Sequence, residues 1–281
     1  MLLMLAVLPA FAGVSQAGRL IVVYPDRLGI REDQTFPFAV LKLAMQKSGV
    51  DHELKPSEHP MNDERVRASL DNETVDVAWF GTSSSFEQQY LPVRIPITRG
   101  ILGYRLFIIR GEDQPAFSKV STLDDLKKFT CIQGKGWADA QILAASGLTV
   151  RTAAVFDQLF ERVKFKRVDF FPLGANEIFD LLSSYKARMP SLDIEKSLVL
   201  VYPFDFFFFV KKGNRRLHDI LYAGLTAAQK DGSYDRLFQT HPEHKVFFGK
   251  ADIQHRRVIR IENPLLSDET RRLFAQMSTP F

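Results

Sequence analysis

From residue 19 onward, short apolar runs alternate with amphipathic stretches. Arg19 to Tyr24 is a β-rich run stopped by Pro25-Asp26. Pro37 to Ser48 carries Phe38, Leu41, Leu43 and Ala44 at helical spacing and is closed by Gly49, a residue suited to the position after a helix. His52 to Lys55 reads as a short strand and Asn62 to Leu70 as a polar-faced helix. Val75 to Phe80 is a continuous apolar strand, as found in parallel sheets buried on both faces. This β-α-β-α-β order predicts an α/β sheet.

A second such unit follows. Strands are predicted at Tyr104 to Arg110, Thr130 to Gln133, Arg167 to Phe171, Ser197 to Val201 and Phe206 to Lys212. Helices are predicted from Leu123 to Phe129, with Ser121-Thr122-Leu123-Asp124 as a capping-box-like start, and over Trp137–Ala145, Phe156–Val163 and Asn176–Lys186. The chain then turns helical at Arg215 to Lys230 and Tyr234 to Thr240. Beyond about Phe248 only a last helix near Asp268 to Met277 is predicted. The Phe-rich run Phe204 to Val210, apolar on both faces, reads as a central sheet strand rather than an interface.

Composition narrows the class. A length of 281 residues suggests two units of ordinary domain size. The formal charge of +4 is mildly basic, but Lys and Arg are scattered and form no stripe interleaved with aromatics, so no nucleic-acid partner is expected. Met1 to Val14 is uncharged and apolar and ends in Ser15-Gln16-Ala17. It is shorter than the ~20 residues of a membrane span, and residues 1–17 read as a signal peptide, although no Lys or Arg precedes the apolar run. The single cysteine, Cys131, lies in an apolar segment and reads as a buried small side chain. His241 and His244 flank Pro242 and Glu243 after a helix and read as a surface turn. No metal and no cofactor are expected.

The order of five passages resembles the family 3 extracellular solute-binding proteins, periplasmic binding proteins of the type II fold. They are Tyr24-Pro25-Asp26; Leu70 to Val77, similar to L-x-x-G-x-x-D with Asn72 taken in the place of Gly; Ser121 to Lys127 followed by Cys131 to Gly136; Leu159 to Asp169; and Leu217 to Phe238 with Asp231-Gly232-Ser233-Tyr234. The match spans about residues 19 to 240. The resemblance implies an α/β fold of two lobes joined by two crossing strands as a hinge. Residues 18–102 and 205–281 would form lobe I, 103–204 lobe II, with crossings near Gly100 to Tyr104 and Tyr202 to Phe206. The implied role is a non-enzymatic, exported periplasmic protein, expected to be monomeric, that closes on a small polar molecule and serves an ABC transporter permease or a membrane sensor.

In open α/β sheets ligands bind beyond the carboxyl ends of the strands, which selects four loops. Tyr24 and Asp26 follow the first strand; the plainer reading is a turn-forming Pro-Asp pair. Gly81, Thr82, Ser83 and Ser84 follow Trp79-Phe80 and offer hydroxyls and backbone amides; one serine would suffice as a helix cap. Gly136, Trp137 and Asp139 follow the strand ending at Gln133: glycine lets backbone approach a ligand, and Trp137 is placed to stack on it or to pack a tight turn. Asn176 and Glu177 open a helix, where an acid also suits the helix dipole. Arg99, Tyr104 and Tyr202 sit at the expected crossings. One departure stands out. Amino-acid binders of this family carry T-x-x-R after the third strand, whose Arg grips a carboxylate; Ser83 to Gln89 contains no Arg. The rival readings are an enzyme using Asp or Glu acid-base chemistry in the cleft, opposed by the absence of G-x-S-x-G and H-E-x-x-H, and a partner-binding module without a small ligand.

Overall fold

A computed structural model describes residues 18–28 and 30–277; the segment read as a signal peptide lies outside them. Its strands are β1 (Leu20–Tyr24), β2 (His52–Pro56), β3 (Val77–Gly81), β4 (Leu91–Val93), β5 (Tyr104–Arg110), β6 (Thr130–Gly134), β7 (Thr149–Ala153), β8 (Phe171–Gly174), β9 (Leu192–Ile194), β10 (Leu198–Val201), β11 (Phe206–Val210) and β12 (Arg257–Arg260). Its α-helices are α1 (Phe36–Lys47), α2 (Asp63–Asp71), α3 (Ser84–Gln89), α4 (Gln114–Phe117), α5 (Leu123–Leu126), α6 (Ala138–Ala145), α7 (Phe156–Lys164), α8 (Ile178–Tyr185), α9 (Arg215–Lys230), α10 (Ser233–Thr240), α11 (Pro242–Lys250) and α12 (Asp268–Gln276).

In the first lobe, β1 and β2 are parallel, and β11 runs antiparallel between β3 and β4. In the second, β5 is antiparallel to β8, β9 and β10, while β6 and β7 form a parallel pair. Two aspartates join the pieces by the same device. Asp76 accepts from the Val23 amide at 2.7 Å and its own amide donates back to the Val23 carbonyl at 2.8 Å, locking β1 to β3. Asp169 does the same with Thr130, at 2.7 and 2.8 Å, locking β6 to β8. These are the aspartates of the two quoted sequence motifs. Three residues before each, Glu73 and Lys166 adopt φ of 59° and 57°, the left-handed conformation that glycine takes most easily. The residue standing in glycine's place is therefore Glu73, not Asn72 as the sequence suggested.

Strand β11, a run of Phe206 to Val210, is buried along almost its whole length, because it is the middle strand of its sheet, as its two-sided apolarity predicted. The strands β4, β7 and β9 were not legible: β4 and β9 have three residues each, and β7 is an edge strand of mixed exposure. Two expectations are corrected. The C-terminal segment does not stay with the first lobe throughout: β12 pairs in parallel with β10 of the second. His241 and His244 do not form a surface turn. Pro242 begins α11, and His244 is fully buried, 4.0 Å from the Phe36 ring and 4.3 Å from the Phe238 ring. Set among the Phe36, Phe238 and His241 rings, the imidazole is held neutral, burial keeping its pKa down at about 4. Cys131 is buried as expected, its thiol pushed up to about 12 by burial.

The crossings lie side by side. The Tyr202 amide donates to the Gly103 carbonyl at 3.2 Å, and the Ile97 amide to the Phe206 carbonyl at 3.0 Å. Arg99 and Gly100 both have positive φ, 52° and 81°, a strained turn for Arg. Buried Asp205 holds it. Its carboxylate accepts from the Thr98 amide at 2.7 Å, the Thr98 hydroxyl at 2.9 Å and the Gly100 amide at 2.5 Å, while its carbonyl accepts from the Thr82 amide at 3.0 Å. Burial raises the Asp205 pKa to about 6, against the pull of those donors.

Removing this carboxylate strands the buried Thr98 amide and hydroxyl and the half-buried Gly100 amide, so Asp205→Ala is expected to destabilise the fold by about 3 kcal/mol in urea unfolding. The folded pKa lies above the unfolded one. The ionisation contribution of Asp205 is therefore fully present below about pH 4 and is lost as pH rises through about 6. Relative to Asp205→Asn, the wild type should lose on the order of 2–3 kcal/mol between pH 4 and 7.5. A flat difference would refute the assignment.

Candidate functional site

The carboxyl ends of β1, β3, β6 and β8 meet between the lobes, and the polar side chains gathered there are mostly buried. The first cluster is built on Arg27, directly after the loop that follows β1. Its guanidinium donates to Glu32 at 2.6 Å, to Asp63 at 3.0 Å and to the Trp79 carbonyl at 2.7 Å, and lies 5.2 Å from the Trp79 ring centroid. Burial works to lower the Arg27 pKa, but Glu32 and Asp63 outweigh it and the net shift is upward. Burial raises Glu32, opposed by Arg27. Asp63 also faces the other lobe: its second oxygen accepts from Trp137 Nε1 at 2.9 Å. This bond joins the lobes directly.

The second cluster is built on Arg105, the one charge in the otherwise apolar face of β5. It lies 2.6 Å from Asp139 and 3.7 Å from Glu177, with its guanidinium carbon 5.5 Å from the Tyr202 ring centroid and 5.2 Å from that of Phe204. Tyr202 donates its hydroxyl to Asp139. Burial again opposes the charge on Arg105, and Asp139, Tyr202 and Glu177 together override it. Burial drives the Tyr202 hydroxyl well upward and raises Glu177. Aromatic rings close over the loops: a side chain at Gly81 would collide with the Phe204 ring, and one at Gly134 with the Trp137 ring. These two positions are glycine because the rings press close against their backbone.

The sequence-derived residues fall into two groups. Trp79, Gly81, Trp137, Asp139, Asn176, Glu177 and Tyr202 belong to these clusters or border them. Ser83 caps α3 and shares a 2.9 Å hydrogen bond with Ser85, and Gly136, with φ of 82°, faces Arg67 across the lobes. The others make contacts within the fold. Tyr24 packs at 4.8 Å on Phe38. The Asp26 amide donor is satisfied by Ser57 at 2.9 Å. Thr82 donates to Glu87 at 2.8 Å, and the Ser84 amide donates to the Leu265 carbonyl at 2.6 Å. Tyr104 is buried in the register of β5 against Val201. Arg99 pairs with Asp235 and lies over the Tyr234 and Phe238 rings at 4.7 and 4.9 Å, on α10 rather than with the strand ends.

Sequence reasoning missed Arg27, Glu32, Asp63, Arg67, Arg105 and Phe204. Arg105 left a signal, since a charge inside a strand buried along its whole length needs a buried partner. Arg67 left none: it sits in a polar helix face, and only the tertiary structure turns it toward the other lobe. There a cavity of about 170 Å³ is lined by Arg67, Ser83, Ser85 and Phe86 from the first lobe and by Gly136, Ala138 and Gln141 from the second, with Leu265. Among the described residues no carboxylate pairs with Arg67; its guanidinium carbon lies 5.9 Å from the Phe86 ring centroid.

Solved structures share this architecture. An ancestral arginine-binding protein bound to arginine is 18% identical, with a TM-score of 0.59, covering 80% of this chain and 99% of that one. An ancestral arginine-binding protein bound to glutamine is 20% identical, with a TM-score of 0.60, covering 82% and 100%. The GluR0 ligand-binding core from Nostoc punctiforme in complex with L-glutamate is 14% identical, with a TM-score of 0.55, covering 80% and 99%. No protein-family model matches the chain, and no curated protein sequence matches it. The likeness shows the fold: a two-lobed α/β architecture of the periplasmic-binding-protein type.

The Trp137–Asp63 bond is a direct polar link between the two lobes. Trp137→Phe keeps the ring over Gly134 and removes the donor. It should weaken closure by about 1 kcal/mol and increase the radius of gyration of the protein in small-angle scattering. An unchanged scattering profile would show that this bond does not hold the lobes.

Proposed function

We propose that the chain is an exported solute-binding protein that captures a small polar molecule between its lobes and presents it to an ABC permease or a membrane sensor, without chemistry of its own. The observation that carries this reading is the polar cavity shared by both lobes, in which the unpaired Arg67 faces Gly136 beside the Ser83 and Ser85 hydroxyls. A site built from both lobes rewards closure, because a ligand there contacts each half only when they come together. The neighbouring arginines are committed to internal carboxylates, so Arg67 is the guanidinium left to hold an anionic group of the solute. It replaces from α2 the arginine that is absent from α3. The paired charges of Arg27 and Arg105 set the shape of the cleft walls. The similar structures bound to arginine, glutamine and glutamate support an amino-acid-like solute.

Export to the periplasm rests on the N-terminal apolar segment together with the fold; among the described residues no helix is long and apolar enough to cross a membrane. A thermal-shift screen over small metabolites should find solutes that raise Tm and compact the protein in scattering, and incubation should leave them unaltered. Arg67→Gln is expected to weaken a carboxylate-bearing ligand about 10- to 100-fold in calorimetry, whereas exposed Arg65→Gln on the same helix should not. Turnover of the ligand, or binding indifferent to Arg67, would overturn this reading.

A further inference from the structure

After β12 the chain passes from the second lobe to the first once more, beyond the part that resembles solute-binding proteins. The Ile261 amide donates to the Val201 carbonyl at 3.0 Å, continuing the β10–β12 ladder. Pro264 has no amide to extend that ladder and fixes its own φ. Buried Asn263 donates its side-chain amide to the Pro203 carbonyl of the second crossing at 2.9 Å, and its side-chain oxygen accepts from the Leu265 amide at 3.0 Å. Residues 261–266 thus run beside the second crossing, as the second runs beside the first. Leu265 then touches both lobes. Its carbonyl accepts from the Ser84 amide of α3 at 2.6 Å, its side chain packs on the second-lobe cluster that includes Tyr202 and Phe204, and it lines the cavity shared with Arg67, Ser83 and Gly136. Both ends are held. In the second lobe, Arg256 donates to the Ala251 carbonyl at 2.6 Å and to the Leu198 carbonyl at 3.1 Å. In the first, buried Glu87 accepts from the hydroxyls of Ser267 and Thr270 at 2.7 and 2.8 Å, at the start of α12, whose Phe274 ring lies 6.1 Å from that of Phe207 on β11.

Building on the solute-binding reading above, we propose that residues 261–266 form a third hinge strand that biases the lobes toward the closed arrangement and slows the exit of the solute, with Leu265 as its grip on both lobes. Hinge motion is absorbed by φ and ψ changes at a few residues of each crossing. Crossings bonded side by side must turn together, and one of these links is a proline. Parting the lobes at the cavity also takes Leu265 either from the Ser84 amide or from its apolar seat beside Tyr202 and Phe204. Contacts made only in the closed arrangement shift the population toward it. A solute that needs the closed form then binds more tightly and leaves more slowly, because release waits on opening.

The test needs no ligand. A Gly-Ser-Gly-Ser insertion between Glu262 and Asn263 slackens the strand while keeping every side chain, the β12 pairing and the Glu87 anchor of α12. It should increase the radius of gyration of the unliganded protein in small-angle scattering. The same insertion between Lys212 and Gly213, in a turn of the first lobe, should leave the radius unchanged. Leu265→Ala keeps the carbonyl for the Ser84 amide and removes the grip on the second lobe; it should expand the protein in the same direction, whereas exposed Val258→Ala on β12 should not. For a solute that raises Tm, dissociation followed by stopped flow should quicken about 5- to 10-fold in both expanded variants. An unchanged radius in the Glu262 insertion protein and in Leu265→Ala overturns the third hinge strand and leaves the solute-binding reading intact. Expansion in both, with no solute that raises Tm of the wild type, upholds the strand as a hinge element and overturns the solute-binding reading instead.

Discussion

The architecture turns on the buried carboxylate of Asp205. Two α/β units can move as lobes only if the segments joining them are held in register, and those segments include a strained left-handed pair, Arg99 and Gly100. Asp205 gathers the amides of Thr98 and Gly100, the Thr98 hydroxyl and, through its carbonyl, the Thr82 amide. One residue thus connects the first crossing, the second crossing and the loop after β3. Donors focused on a buried carboxylate are worth more than the same bonds in water, so the hinge is stiff at its root and the loops it positions are repeatable.

The space between the lobes is defined by the same economy of charge. An apolar cluster runs through the crossing residues Ile97, Ile101 and Tyr104 into both sheets, yet the strand ends themselves carry two buried arginines. Each is matched by two carboxylates and backed by aromatic rings. Burying a guanidinium is tolerable only with such pairing, and the pairing withdraws Arg27 and Arg105 from ligand chemistry. The groups left over, Arg67 on one side and the Asn176 side-chain oxygen on the other, are those whose charge or hydrogen-bonding capacity is unspent. Function is read here from what the fold leaves unsatisfied.

The α/β alternation, the central position of β11 and the last helix were legible because hydrophobic periodicity records which faces are buried. The motif aspartates Asp76 and Asp169 were legible as motifs, although their work, pinning neighbouring strands through backbone amides, was not. Of the cleft residues, those at strand ends such as Trp137, Asp139, Asn176 and Glu177 followed from topology alone. Arg99 and Tyr104 were placed near the crossings, yet Arg99 turns outward to Asp235, since a positive-φ backbone redirects its side chain.

The sequence by itself determined the longer elements and their order, because each depends on local periodicity, on caps and on turn chemistry within a few residues, while the two-lobed plan was implied by the resemblance that its motifs carry. Only the tertiary structure decided which charges meet. Arg27 finds Asp63 over 36 residues, Trp137 finds Asp63 over 74, and Glu243 reaches Phe36 over 207. Pairings at such separations leave no periodic trace, because they are set by how the lobes and the C-terminal helices pack, not by any pattern along the chain.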